Sequence, residues 1–407
     1  MQEAFTNRKP DTLVHGALNS LRVLDLTRVW AGPLGTRALA DFGADVIRIS
    51  DPRTLLDSPA RVNNKLNRNK RNIGIRLDKE EGREIFLRLV TVSDIVIENY
   101  RPRVMRNLNL SYDSLRDANP TIIVCSMPGF GLDGPYSEYP AFGSTAEAIS
   151  GVVSLIGYDA NRPLQTGLSY ADPISGLNAV WTIIGYARRR AMAGAGCYLD
   201  LALSESPLSS LGEHFVSASA GNPHLEIDGN RHPVHCPHGA FRTLGDDIWV
   251  TIAVTSNEEW RSFKSVLSDK TLENPYYDHP EGRKSSEDVL NRTISQWVGE
   301  KEADEVVAQL QNAGVPSGKV LNNLELLNNP HLIDRGYFVK LQEKRWGPQI
   351  YDGQAIPGSQ KDRVAWHSMR NVGEDNRSIL TKLLGYTLEE YQALEESGVV
   401  GSESFED

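Results

Sequence analysis

The chain has 407 residues, of which 40% are hydrophobic, and a formal net charge of −10 from 43 basic and 53 acidic residues. This length predicts two domains, each long enough to bury a core. Because the basic residues are spread among the acidic ones without a sustained basic stripe, we expect no nucleic-acid partner.

The first residues lack the pattern of a signal peptide, and no stretch approaches about 18 uncharged apolar residues. We therefore expect no membrane partner. The three cysteines, Cys125, Cys197 and Cys236, are odd in number and widely spaced, which is typical of a reducing compartment. The sequence thus predicts a cytoplasmic protein without disulfides.

Strand and helix patterns alternate through the N-terminal part. Residues 22–26 form a strand-like run, Gly32 and Pro33 open a helix that Gly43 ends, and residues 45–49 form the next strand. The alternation continues with strands over 72–76, 94–98 and 121–125, and with helices over 78–90 and after Pro102 and Ser111. This order predicts a parallel, doubly wound sheet whose ligands lie beyond the carboxyl ends of the strands.

The second half of the chain has a different pattern of predicted elements. A strand is expected over 198–203, and residues 221–240 are rich in Gly, Pro, Asn and His, which is typical of a long loop. A strand over 248–253 and helices near 257–267, 286–298 and 303–313 predict a smaller α/β domain. From residue 322 the chain is expected to return to the first domain and to end in a helix over 388–397.

Asp172 stands before an apolar, helix-like segment, residues 176–190. Its carboxylate would lie near a helix N-terminus and be partly desolvated, as a nucleophile requires. An aspartate in this position is also an ordinary helix N-cap. Local sequence leaves both interpretations open.

Two motifs are typical of ligand sites, but the residues around them favour simpler structures. The G-x-G-x-x-G run at 129–134 is typical of dinucleotide-binding dehydrogenases, but Pro135 and Pro140 follow and no helix opens until after Gly143. We expect a turn there.

The residues His232, His235, Cys236 and His238 have metal-like spacing, yet Pro233 and Pro237 interrupt them, so we expect a polar loop and no metal.

Two basic runs carry asparagine, residues 67–71 and 99–103. Each is consistent with a solvated loop. If both lie at the ligand edge of one sheet, however, their guanidinium groups could pair with phosphates.

Several motifs in one order carry a resemblance to a known family. The runs at 21–33, 40–47, 67–71, 98–102 and 128–135, followed by those at 314–316, 384–386 and 398–400, resemble the family III CoA-transferases, whose relatives include the α-methylacyl-CoA racemases. The likeness covers essentially the whole chain.

The resemblance implies a Rossmann-like large domain with a parallel sheet, made from residues 1–220 and 325–407, and a small α/β domain over 221–324. It implies an interlocked homodimer that acts on CoA, an acyl-CoA and a small carboxylic acid as substrates, without a tightly bound cofactor. It puts the catalytic aspartate on Asp172. The CoA contacts that it implies are Trp30, Ala31, Ile75, Arg76, Asn99, Tyr100, Arg101, Arg106, Ala141, Phe142 and Gly143.

The implied activity moves CoA from an acyl-CoA to a carboxylic acid through a covalent aspartyl intermediate, with the loop at 235–239 as a candidate source of oxyanion donors. Two alternatives stay open: intramolecular CoA transfer within a dicarboxylic acid, and racemisation. Racemisation is disfavoured because Phe142 stands where the racemases have histidine, and phenylalanine cannot accept a proton. Intact Asp172 disfavours a catalytically silent homologue.

Overall fold

The computed structural model describes residues 16–54, 62–159, 161–221, 227–344, 346–356 and 366–402. Its strands are β1 (Arg22–Asp25), β2 (Asp45–Ser50), β3 (Arg71–Gly74), β4 (Ile95–Glu98), β5 (Ile123–Ser126), β6 (Cys197–Asp200), β7 (His238–Arg242), β8 (Trp249–Ala253), β9 (Ser317–Lys319), β10 (Phe338–Glu343) and β11 (Gly347–Asp352).

Helices alternate with these strands. They are α1 (Ala31–Asp41), α2 (Val62–Asn67), α3 (Glu80–Thr91), α4 (Pro102–Asn107), α5 (Tyr112–Ala118), α6 (Gly143–Ile149), α7 (Ala171–Ala193), α8 (Gly212–Ser219), α9 (Asn257–Leu267), α10 (Pro280–Ser285), α11 (Glu287–Gly299), α12 (Ala303–Asn312), α13 (Asn323–Leu327), α14 (Pro330–Asp334) and α15 (Leu388–Glu396). Among the helices described here, none combines the length and apolar character needed to cross a bilayer.

Six strands form one parallel sheet in the order β3-β2-β1-β4-β5-β6. This is the strand order of a doubly wound α/β fold, so the α/β class with a parallel sheet is confirmed. In such folds the order of strands reverses between β1 and β4, and ligands bind at the carboxyl edge beside that reversal. The residues that follow Asp25 and Glu98 therefore flank the expected ligand crevice.

Apolar side chains cover both faces of the sheet. Val23, Val46 and Ile95 pack with buried residues of α1 and α7 on one face. Leu24, Ile47 and Val96 pack on the other face with buried residues of α3 and α5 and with C-terminal residues that include Val400. Alternation along each strand explains the two layers, because successive side chains point to opposite faces.

The C-terminal segment is attached to the edge strand β3. Ile75 bridges Val400, the amide of Gly74 donates to Asn376 Oδ1 at 2.8 Å, and the amide of Gly401 donates to the carbonyl of Gly74 at 3.1 Å. The C-terminal segment thus contacts the sheet at this edge.

The chain divides into two compact units. The first consists of Met1–Val153, Gln165–Pro223 and Asp334–Asp407, and the second of Ser154–Leu164 and His224–Ile333. Residues 154–164 and 325–333 thus group with the second unit, although the sequence analysis assigns them to the large domain. The Cβ of an alanine at Gly157 would lie 3.2 Å from Ile227, which shows how closely the first of these segments packs on the second unit.

The second unit is an α/β structure of its own. Strands β7, β8 and β9 form a three-stranded antiparallel sheet. Its core includes Trp260, Phe263, Leu290, Ile294 and Val306 from helices α9, α11 and α12.

The basic run at 67–71 corrects an expectation. Arg68 is fully buried, donates to both carboxylate oxygens of Asp41 at 2.7 and 3.1 Å, and stacks on Trp366. Lys70 Nζ is buried and lies 2.8 Å from Asp25 Oδ2. Because these cations are neutralised inside the protein, the run is neither a solvated loop nor a phosphate site.

Helices α1 and α7 approach each other closely through glycine. A Cβ on Gly176 would lie 2.6 Å from the carbonyl oxygen of Ala31, and one on Gly35 would lie 2.8 Å from the carbonyl oxygen of Gly176. Real Cβ atoms do not tolerate such distances to backbone. Only glycine at both positions permits this separation of the two helices.

We predict that Gly176→Ala destabilises the protein by about 1–3 kcal/mol, because the added methyl group forces α7 away from α1. Gly185→Ala is the matched control on the same helix, since its Cβ would meet nothing within 4 Å. That change should be neutral or stabilise by up to about 1 kcal/mol through helix propensity. Thermal unfolding followed by circular dichroism compares the two, and equal melting temperatures would contradict the close-packing argument.

Candidate active site

Asp172 lies in the first turn of α7, one residue after the helix begins at Ala171. The N-cap position is occupied by Tyr170, so the interpretation of Asp172 as an N-cap is wrong. The amide of Asp172 donates to the carbonyl of Ser169 at 2.9 Å, and Ser169 has a left-handed φ of 47°. Only 6% of Asp172 is exposed.

The two carboxylate oxygens of Asp172 have different surroundings. Oδ1 accepts a 3.2 Å hydrogen bond from the amide of Ala31, the first residue of α1. Oδ2 faces Gly143, the first residue of α6, where a Cβ would lie 1.7 Å from this oxygen. Among the described residues Oδ2 has no hydrogen-bond donor. One oxygen is therefore held in place and the other is available to react.

Burial sets the proton affinity of this group. Desolvation raises the pKa of Asp172 from 3.8 to about 6, and the hydrogen bond from Ala31 opposes that rise only in part. The carboxylate is consequently ionised at neutral pH but poorly solvated and more basic than an exposed aspartate. These are the properties of a nucleophilic carboxylate.

Other residues expected to contact CoA lie beside the strand-order reversal. Trp30 precedes α1 as its N-cap residue. The side-chain amide of Asn99 accepts from the backbone amide of Arg28 and donates to its carbonyl, each at 2.8 Å. The amide of Tyr100 donates to Glu98 Oε2 at 2.7 Å, and Arg101 is the N-cap residue of α4. The loops after β1 and β4 are thus joined by the hydrogen bonds between Asn99 and Arg28.

The remaining expected contacts are more dispersed. Ile75 is buried beneath the C-terminal segment, and Arg76 is paired with Asp78 at 2.7 Å. Arg106 is paired with Glu138 at 2.9 Å. Ala141 lies so close to Gly129 that a Cβ on that glycine would be 2.5 Å from it, while Phe142 is exposed. Of the three residues 141–143, only Gly143 is shown in contact with the Asp172 carboxylate.

Two further carboxyl groups escaped the sequence analysis as site candidates. Glu147, one turn after Gly143 on α6, is buried and neither of its carboxylate oxygens has a hydrogen-bond partner among the described residues. Burial at the end of β4 raises the pKa of Glu98 to about 7, with the negative charge of Asp200 contributing. An acidic residue in an apolar run is the sequence signal for such groups, and it does not reveal their partners.

The glycine run at 129–134 is followed by a turn rather than by a helix, because the next helix, α6, begins only at Gly143. No helix N-terminus lies where a dinucleotide pyrophosphate would need it. The expectation of a turn is confirmed.

The histidine loop belongs to the second compact unit. The rings of His232 and His235 lie 4.5 Å apart, and those of His232 and His238 lie 5.2 Å apart. His232 Nδ1 accepts hydrogen bonds from the amides of Val234 and His235. That nitrogen is consequently occupied. Within the described ranges no group of three or more His, Cys, Asp or Glu side chains has metal-binding geometry.

Comparison with known proteins identifies the family. The model of CoA-transferase family III matches residues 18–376. A succinyl-CoA:mesaconate CoA-transferase of Haloarcula hispanica is 32% identical over 353 residues, which are 82% of this chain and 88% of the relative. The alpha subunit of a succinyl-CoA–L-malate CoA-transferase of Chloroflexus aurantiacus is 28% identical over 396 residues, covering 94% and 92%.

Solved structures agree with the family. A crystal structure of a CAIB/BAIF family protein from Brucella suis has a TM-score of 0.82 and 26% identity, covering 91% of this chain and all of that one. The chain belongs to CoA-transferase family III. It is a CoA-transferase, which confirms the family and the class of enzyme that the sequence motifs indicated.

With Asp172 taken as the proposed nucleophile, its raised pKa predicts the pH dependence of CoA transfer. Above about pH 6 the carboxylate is ionised, and below it the group is protonated and cannot attack a thioester. We expect kcat/KM for CoA transfer to fall as the pH drops through about 6 and to level off above it. Initial rates between about pH 5 and about pH 8, with thermal stability recorded at each pH as a control, measure this. A descending limb centred near 4, the ordinary value for aspartate, would contradict it.

Proposed function

We propose that the enzyme transfers CoA from an acyl-CoA to a carboxylic acid through a covalent intermediate on Asp172. The observation that carries this proposal is the asymmetry of the buried carboxylate, whose Oδ1 is bound by the Ala31 amide and whose Oδ2 faces Gly143 without a donor. A nucleophile needs one fixed orientation and one free lone pair, and this arrangement supplies both.

In the first half-reaction Oδ2 attacks the thioester carbonyl, the carbon–sulfur bond breaks, and CoA leaves as a thiolate. The product is a mixed anhydride between Asp172 and the acyl group. The thiolate then attacks the aspartyl carbonyl carbon, which releases the donor acid and leaves a thioester between Asp172 and CoA. No net proton is taken up or released.

The second half-reaction reverses these bonds. The acceptor carboxylate attacks the aspartyl thioester and displaces the thiolate, and the thiolate attacks the acceptor's side of the new anhydride. The new acyl-CoA forms and the Asp172 carboxylate is restored. Water would hydrolyse either intermediate, so the burial of Asp172 protects them.

CoA itself is proposed to bind along the carboxyl edge of the sheet, with contacts from Trp30, Ala31, Asn99, Tyr100 and Arg101. The reversal of strand order beside these residues supports this place for the ligand. The relatives described above are named for succinyl-CoA together with mesaconate or L-malate. Small dicarboxylic acids, with succinyl-CoA as donor, are consequently the first panel to screen by mass spectrometry.

Asp172→Ala should lower turnover by on the order of a thousandfold or more, because no other oxygen of the enzyme replaces the nucleophile. Asp172→Asn keeps a side-chain oxygen that can accept from the Ala31 amide, and it should lose as much turnover as Asp172→Ala. The Asn variant therefore distinguishes the loss of the nucleophile from a loss of packing. CoA binding, measured by calorimetry, should change far less.

Trapping identifies the covalent residue directly. The wild-type enzyme, incubated with an acyl-CoA and then with hydroxylamine or borohydride, should carry a modification on the peptide spanning Asp172. Glu147→Gln should retain this modification. An adduct on Glu147 or Asp200, or near-normal turnover of Asp172→Ala, would show that another carboxylate is the nucleophile.

We also propose that the enzyme is an interlocked homodimer located in the cytoplasm. Leu177, Trp181 and Ile184 are exposed on one face of α7, although such large side chains rarely cover a solvated helix. A second copy of the chain would bury this face.

The free state of Cys125, Cys197 and Cys236 is in keeping with a reducing compartment.

If two chains pass through each other, they cannot separate without unfolding, so dimer and native structure should be lost together. Light scattering combined with circular dichroism on progressively diluted protein should show no folded monomer at any concentration. A folded monomer that reassociates reversibly would exclude the interlocked arrangement.

A further inference from the structure

A buried lysine lies against the start of α1, the helix that carries the Ala31 amide. The side chain of Lys70 is 1% exposed, and its ammonium group has four oxygen atoms within 3.1 Å. These atoms are Asp25 Oδ2 at 2.8 Å, Thr36 Oγ1 at 2.8 Å, Asn67 Oδ1 at 3.0 Å and the carbonyl oxygen of Pro33 at 3.1 Å. An ammonium group has three N–H donors, so the hydrogen-bonding capacity of Lys70 is fully used.

Two of the four oxygen atoms belong to α1 itself. Pro33 and Thr36 follow shortly after Ala31 in that helix. The hydroxyl of Thr36 also donates to Asp25 Oδ2 at 2.7 Å, and both residues are buried. Lys70 and Thr36 therefore tie the first part of α1 to the end of β1.

Asp25 holds the segment that leads into α1. Its Oδ1 accepts hydrogen bonds from the amide and the hydroxyl of Thr27. The side chain of Thr27 lies against Gly32, where a Cβ would be 2.3 Å from the Cβ of Thr27. Because Gly32 directly follows Ala31, the place of the Ala31 amide depends on this contact. A buried carboxylate also needs a counter-charge, and Lys70 supplies it to Asp25.

Asp172 is sensitive to the place of Ala31. The 3.2 Å hydrogen bond from the Ala31 amide to Oδ1 opposes the rise in the pKa of Asp172 that burial causes. Among the described residues no charged side chain contributes to that pKa. A displacement of Ala31 by a few tenths of an ångström would lengthen this bond beyond hydrogen-bond range. The carboxylate would then be more basic and less well oriented.

We propose that Lys70 is a positioning residue for CoA transfer and that it holds the Ala31 amide where this amide can bind Asp172. The inference rests on the proposed function, because it takes Asp172 to be the nucleophile. The hydrogen bonds of Lys70 go to the four oxygen atoms given above, so its effect on Asp172 passes through the start of α1. A nucleophile held in one orientation reacts faster than one that must first be oriented.

The opposite end of α1 offers a matched control. Arg68 is buried as well and pairs at 2.7 Å with Asp41, the last residue of α1. Arg68→Met and Lys70→Met each remove one buried cation and leave one buried carboxylate without its partner, which is destabilising in both cases. Only Lys70→Met alters the end that carries Ala31. A difference between the two variants therefore distinguishes positioning from a loss of stability.

The test is the pH dependence of kcat/KM, measured for the full-length enzyme with a donor and an acceptor accepted in the substrate screen. In Lys70→Met the acid limb should move upward from about 6 by about one pH unit, because a hydrogen bond to a charged group is lost. Thr36→Val removes the hydroxyl but keeps the shape of the side chain, and it should move the limb in the same direction by less.

Two conditions make the acid limb a clean measurement. Arg68→Met should leave it near 6, the value for the wild-type enzyme. Burial lowers the pKa of Lys70 to about 8, so the ammonium group stays protonated throughout the acid limb and does not itself titrate there. If Arg68→Met moves the limb as far as Lys70→Met does, the positioning role of Lys70 is overturned. If Lys70→Met does not fold, Thr36→Val decides by the same criterion.

Carbon-13 NMR of enzyme labelled at the aspartate carboxyl groups measures the pKa of Asp172 without turnover, with its signal assigned through Asp172→Asn. A pKa and an acid limb that both rise in Lys70→Met support the proposal. If both stay near 6, the positioning role is overturned and the proposed function stands. If the pKa rises and the rate profile stays unchanged, Lys70 does position Asp172, but Asp172 is not the nucleophile and the proposed function is overturned.

Discussion

The backbone contact between α1 and α7 is the constraint on which the proposed active site depends. Asp172 and its single amide partner, Ala31, are 141 residues apart in the chain, and they meet because Gly35 and Gly176 let the two helices touch without intervening side chains. A Cβ at either glycine would separate the helices by more than a hydrogen bond tolerates. The orientation of the carboxylate is thus a property of helix packing rather than of the loop that precedes it.

Buried charges hold the other side of the same helix. Lys70 Nζ contacts Asp25 Oδ2, the hydroxyl of Thr36 and the carbonyl of Pro33, so one ammonium group joins the end of β1, the body of α1 and the segment before β3. Burying an ion pair is expensive unless its remaining hydrogen bonds are satisfied, and here they are. The start of α1, which carries the Ala31 amide, is therefore fixed from both sides.

Sequence patterns predicted the strands of the parallel sheet, since most of them are short apolar runs between turn residues, as in Ile95–Glu98 and Ile123–Ser126. They did not predict β7, β9, β10 or β11, which are less apolar. They predicted the role of the residues at 67–71 poorly. The partner of Arg68 is Asp41, 27 residues earlier, and nothing local indicates that pairing. Asp172 shows the same limit, because its local pattern left an N-cap and a nucleophile both open, and only the family motifs favoured the nucleophile. The periodicity of apolar residues indicates which face of a helix or strand is buried. The role of a charged side chain depends instead on its partners in the folded protein, which the local sequence does not show.

The number of hydrogen bonds to Asp172 decides what its carboxylate can do. A carboxylate that accepts two or three backbone amides has a strongly lowered pKa and is a weak nucleophile. Asp172 accepts one, from Ala31, and desolvation outweighs it, which raises the pKa to about 6. Near neutral pH this value keeps the group ionised while leaving it more basic than an exposed aspartate. A second donor at the position of Gly143 would bind Oδ2 and lower its basicity. The absence of a side chain there leaves Oδ2 open to approach, as the proposed role of Asp172 requires.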